Sequence, residues 1–94
     1  MDVVAHRPEL LAGLRRVFAE DLALRLPRLV AACESGGTAW DDDVRRDVHT
    51  LGTSTWIIGE SDLSLLARDL EKRAATGPAP SMDELVAALS RWRQ

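Results

Sequence analysis

The sequence predicts an all-α fold: an up-and-down antiparallel four-helix bundle whose first helix is long and kinked at a proline. Three observations predict it. Apolar residues recur at three- and four-residue steps through most of the 94 residues, which is the helical period. No stretch alternates apolar and polar residues for long enough to make a strand. Breaks bearing Gly or Pro fall between the periodic segments, leaving short connections that suit neighbouring antiparallel helices. With 46% hydrophobic but only 4% aromatic residues, the composition favours helices over a sheet sandwich.

Met1 to Arg7 shows no period and reads as a short lead-in. Pro8 suits the first turn of a helix, where its fixed φ fits and its missing N–H is not needed. Leu10, Leu11, Leu14, Val17, Phe18, Leu22, Leu26, Leu29, Val30 and Cys33 then form one long apolar pattern. Pro27 interrupts it and is expected to kink or split the helix near Ala23 to Leu26. Gly36-Gly37 ends it, and Trp40 with Asp41-Asp42-Asp43 opens the next helix, Asp41 as N-cap. The second helix runs to Ile58 and stops at Gly59; Ser61 is a candidate cap for the third. Leu63, Leu66, Ala67, Leu70 and Ala74 give the third helix its seam before Gly77. Pro78-Ala79-Pro80 is a stiff linker, and Ser81-Met82-Asp83-Glu84 has the form of a capping box ahead of Leu85, Val86, Leu89 and Trp92. Trp40 and Trp92 are expected to pack at the ends of the bundle, and Arg15-Arg16, Arg25 and Arg28 to form a solvated face.

Residues 1–94 have room for one domain and one modest core. A net charge of -3 argues against nucleic acid as a partner. Cys33 is the sole cysteine, so no internal disulfide forms; its place on an apolar seam makes it core filler, and the chain fits a reducing compartment. Neither a signal-peptide pattern nor a membrane-length apolar run is present, Met1 reads as a natural start, and a cytoplasmic, soluble chain is expected. Phosphate-binding Gly-rich loops are missing. The two histidines, His6 and His49, have no second His at ligand spacing, so no metal or other cofactor of its own is expected. The Asp41 to Asp43 cluster is explained by helix opening, and no nucleophile elbow points to hydrolysis.

Val44 to Leu70 carries the functional signal. Val44, Val48, Leu51, Thr55 and Ile58 make one buried seam, and His49 lies about 100° around the axis from it, on a polar flank. Arg45, Arg46, Gly52 and Thr53 are its neighbours one turn away, and Trp56 lies two turns on. Trp56 reads equally as a partner contact or as a lid on the core. A histidine held by a packed helix yet open to water suits a group that meets another protein and holds an anion.

His49-Thr50-Leu51, with Ser54, Gly59, Leu63, Leu66 and Leu70-Glu71, resembles the histidine phosphotransfer (HPt) domain family. That family's mark is roughly A-H-x-L-K-G-S-x-x-x-[LI]-G, followed by L-x-x-L and L-E in the next helix. The resemblance extends over nearly the whole chain. It implies a four-helix bundle, acting as a monomer, that carries a phosphoryl group on His49. The group passes to or from the aspartate of a response-regulator receiver domain, alone or within a hybrid histidine kinase, and any Mg²⁺ belongs to that receiver. A neutral imidazole nitrogen is a competent nucleophile at cytoplasmic pH, and lasting carriage leads to the expectation of no carboxylate poised beside His49. The chain departs from the family at two positions: Gly52 stands where the family has Lys, and Thr53 where it has Gly. Charge compensation is then expected from Arg45 or Arg46. The alternative implied by the departures is an HPt-like adaptor that binds a receiver or kinase without being phosphorylated. A kinase dimerisation helix is disfavoured, since Thr50-Leu51-Gly52-Thr53 lacks the acidic residue and Thr-Pro that usually follow its His.

Overall fold

The computed structural model describes residues 8–34, 40–78 and 80–93, and every element among them is helical. The helices are α1 (Pro8–Glu34), α2 (Asp42–Ile57), α3 (Ser61–Thr76) and α4 (Asp83–Arg93). The lead-in with His6 and the Gly36-Gly37 cap lie outside the described residues, as does Ala79 of the linker.

The helix ends follow from local chemistry. Asp41 accepts the N–H of Val44 at 2.8 Å, the side-chain cap that satisfies one of the free donors opening α2. At the other end Gly59 takes φ 82°, and the N–H groups of Gly59 and Glu60 donate to the carbonyls of Trp56 and Thr55. That pair of bonds is the glycine-closed Schellman turn, and it reverses the chain within three residues. Ser61 does not cap α3: it is already the first helical residue, and Glu60 ahead of it makes no side-chain cap bond. Ser81 accepts from the N–H of Asp83 at 3.2 Å, two residues on rather than the three of a capping box, so α4 starts at Asp83.

Pro27 does not split α1, which runs unbroken from Pro8 to Glu34. The ring lies on the exposed side, between the buried Leu26 and Leu29, so the carbonyl it leaves unpaired is on the side of the helix that water can reach.

α1 packs on α2 and α4, and α3 packs on the same two, so four helices enclose one core. Phe18, Leu22, Leu26 and Leu29 meet Val44, Val48, Leu51, Ile58, Leu63, Leu70, Leu85 and Leu89 there, and Met82 and Trp40 belong to the same core. Two residues of the long apolar pattern do not join it. Leu10 and Val17 are exposed, Val17 by 60%, because no other helix covers their side of α1. Trp40 is buried and donates from Nε1 to the Pro80 carbonyl; Trp92 packs edge-on against Phe18 with centroids 4.8 Å apart.

Arg25 is not part of a solvated face, whereas Arg28 stays half exposed. Both reach the buried carboxylate of Asp47, Arg25 at 2.7 Å and Arg28 at 3.3 Å, which ties α1 to α2. Arg25 also holds Asp21, and that bond raises the guanidinium's pKa against the opposing effect of burial. Arg15 likewise leaves the solvated face: it pairs with Glu60 and lies over the Trp92 ring.

Candidate functional site

α2 and α3 approach closely because of Gly52. A Cβ built there would stand 3.4 Å from Ala67 Cβ and 3.7 Å from Arg68 Cγ. Its carbonyl accepts the hydroxyls of Thr55 and of the buried Ser64, the latter at 2.8 Å across the helix pair. Polar groups in this contact are therefore satisfied without water. Gly52 is thus buried beneath α3, not on the open flank where the sequence pattern places it.

One turn before Gly52, the His49 side chain is 67% exposed and its Nδ1 lies 2.8 Å from a carboxylate oxygen of Glu71 on α3. This corrects the expectation that no carboxylate stands beside the ring. An ionised carboxylate only accepts, so Nδ1 carries a proton, and in the neutral ring that tautomer leaves the lone pair on Nε2. Among the described residues Nε2 has no hydrogen-bond partner. The two ring nitrogens point in divergent directions, so the carboxylate that grips one is not aimed at the other. Chemically, the arrangement is a fixed imidazole nucleophile facing solvent.

The other predicted site residues are distributed around this pair. Thr53 is exposed and its hydroxyl bonds back to the His49 carbonyl at 3.3 Å, along the helix rather than over the ring. Arg46 is exposed one turn before His49. Arg45 is exposed too, but its Nε donates to the Trp40 carbonyl at 3.2 Å, which draws it toward the start of α2. Trp56 is 50% exposed, so it is not a core lid, and the Arg68 guanidinium lies 5.3 Å from its ring centroid.

Glu71 and Arg68 are the residues that single-helix reasoning missed as site components. Both come from α3, and each stands one turn from the other. The signal was available: Leu70-Glu71 follows the histidine at the distance that an antiparallel return from Gly59 would bring alongside it.

A groove of about 330 Å³ runs between α1 and α2, lined by Val17, Phe18, Thr50, Ser54, Ile57 and Ile58 among others. It opens beside the histidine's own helix, where Thr50 is the next residue. Among the described residues no group of three or more His, Cys, Asp or Glu could hold a metal ion. None of the described helices is long and apolar enough to cross a membrane.

The chain matches no known family model, no curated protein and no solved structure.

Proposed function

We propose that this chain is a histidine phosphotransfer carrier, in which Nε2 of His49 takes a phosphoryl group from, or returns it to, a receiver-domain aspartate. The observation that carries this reading is the exposed imidazole held at Nδ1 by Glu71. In the forward step the Nε2 lone pair forms an N–P bond while the bond from phosphorus to the aspartyl oxygen breaks. The receiver's carboxylate leaves with that electron pair. The Nδ1 proton stays with the ring and keeps its bond to Glu71, so the step needs no proton transfer. Loose, in-line phosphoryl transfer depends mainly on positioning and charge compensation, which a rigid helix pair can supply.

Retention of the phosphoryl group has a reason in the same geometry. Glu71 is engaged at Nδ1 and is not directed at a water attacking phosphorus on Nε2. The groove between α1 and α2, on the face of α2 next to that of His49, offers a receiver apolar surface. The reading includes an up-and-down bundle bent at Pro27, acting as a cytoplasmic monomer, with Mg²⁺ held by the receiver. In support of that topology, Arg25 of α1 meets Asp47 while Arg15 meets Glu60, so partners advance along the chain as α1 is followed backwards.

The test is transfer from receiver domains charged with acetyl phosphate in the presence of Mg²⁺. Acid-labile, alkali-stable phosphate is expected on the wild-type chain and not on His49→Gln. Stable binding of a receiver with no label on His49 would favour the unphosphorylated adaptor instead.

A further inference from the structure

The carrier reading adds a charge for which α2 itself offers Arg46, exposed one turn before His49. A phosphoryl group on Nε2 would add negative charge next to Glu71, already an acid, and Gly52 brings no side chain to balance it. Arg45, drawn toward the Trp40 carbonyl, is engaged away from the ring.

We propose that Arg68, on α3, is the cation of the phosphorylated site, and that Gly52 is small so that the arginine can cross α2 to reach it. The inference rests on the carrier reading and adds a residue to it. Arg68 Cγ lies 3.7 Å from where a Gly52 side chain would begin, so the arginine's stem runs against this position, and a side chain longer than a methyl group would meet it. Gly52 is three residues after His49, about 4.5 Å along the helix, a distance that a swing of the long side chain covers. His49 and Trp56 are seven residues apart and so share one face of α2. The guanidinium over Trp56 is therefore already on the histidine's side.

The resting position has its own logic. Arg68 is three residues before Glu71 on α3, close enough for the two to pair. Such a pair would compete with His49 for the carboxylate. Stacking on Trp56 holds the guanidinium away from Glu71, and among the described residues Arg68 makes no ion pair. The cation is thereby kept uncommitted until an anion arrives two turns back along α2. Arginine suits the task because its planar fork binds phosphoryl oxygens in a bidentate manner.

Phosphoramidate tests this without a protein partner. Its P–N bond breaks as Nε2 attacks, and ammonia leaves with the electron pair. Phosphohistidine is followed by intact mass and ³¹P NMR, for its rate of formation and for its first-order loss once the reagent is removed. Arg68→Gln is expected to slow formation or shorten the lifetime by about fivefold to tenfold, with the gap narrowing at high salt. Arg68→Lys, which keeps the charge without the fork, is expected to recover part of the loss. If the wild-type chain takes phosphate on His49 and Arg68→Gln matches it within about twofold, Arg68 is excluded while the carrier reading stands. A loss that lysine fails to recover, or that salt leaves unchanged, likewise overturns the charge role. No phosphate on wild-type His49, or equal label on His49→Gln, overturns the carrier reading and this inference with it.

Discussion

Glu71 of α3 and His49 of α2 meet at 2.8 Å through Nδ1, across the seam where the two helices pack closely on Gly52. The bond selects a tautomer as well as an orientation, because a carboxylate can only accept. Glu71→Gln removes that constraint, since an amide presents either a donor or an acceptor to the ring. Nitrogen chemical shifts of His49 are expected to show a smaller Nδ1–H population in this variant. Phosphorylation by phosphoramidate is expected to slow by roughly tenfold, the lower end of what is lost when a partner that orients a metal-bound imidazole is removed.

Asp47, on α2, is a second carboxylate paired with another helix, and it is expected to matter for stability rather than for transfer. It is buried, and two guanidinium groups from α1 converge on it. Asp47→Ala leaves them without an anion at that place. Stripping one partner from a fully buried pair costs ~3–5 kcal/mol. Arg25 keeps Asp21, and Arg28 is half exposed, so a smaller loss of about 2 kcal/mol is expected here. Urea unfolding should show it as a lower midpoint at unchanged slope, while His49 remains a competent acceptor.

These two carboxylates mark where sequence reading succeeds and where it stops. The seam of α2 was legible because Val44, Val48, Leu51, Thr55 and Ile58 repeat at helical steps, and all five are buried. Asp47 falls three residues after Val44 and four before Leu51, which is a seam position. Arg25 falls likewise between Leu22 and Leu29. Opposite charges on two facing seams are a signal for a buried pair, but the signal exists only once the helices are known to face each other. The same applies to Glu71 and Arg68: periodicity assigns a residue to a face of its own helix, and register between helices decides what it touches. Val17 fails for the complementary reason. Its spacing is that of a core residue, yet no helix lies over that part of α1.

Cys33 gives a chemical test of the packing of α1 on α4. Burial raises its thiol pKa, and a hydrogen bond with Asp83 and the nearby carboxylate charges act in the same direction. A raised folded pKa means stability that is present at neutral pH and declines as alkali ionises the folded thiol. It also means less thiolate, the form that alkylates. Iodoacetamide at mildly alkaline pH is expected to modify the folded chain at least about tenfold more slowly than the chain in urea. Asp83→Asn is expected to narrow that difference by removing a charge next to the sulfur.

Gly52 and Gly59 are seven residues apart on the chain, and the same substitution is expected to act on them with opposite sign. Gly52 has ordinary helical surroundings, and a Cβ there would meet Ala67 Cβ at 3.4 Å, the tight end of normal contact. Alanine gains up to ~1 kcal/mol over glycine inside a helix, so Gly52→Ala is expected to be neutral or mildly stabilising. A larger residue has no such room: Gly52→Leu must push α3 aside and is expected to cost ~1–3 kcal/mol. Nothing lies within 4 Å of a Cβ at Gly59, but its φ of 82° is one that L side chains rarely adopt. Gly59→Ala is therefore expected to cost about 1–2 kcal/mol from backbone strain alone, despite the open space around it. Chemical denaturation of the three variants checks the order. A Gly52→Ala chain less stable than Gly59→Ala would mean that α2 and α3 pack too closely for even a methyl group, and that the spacing which sets Arg68 across Gly52 is tighter than a 3.4 Å approach of Ala67 allows.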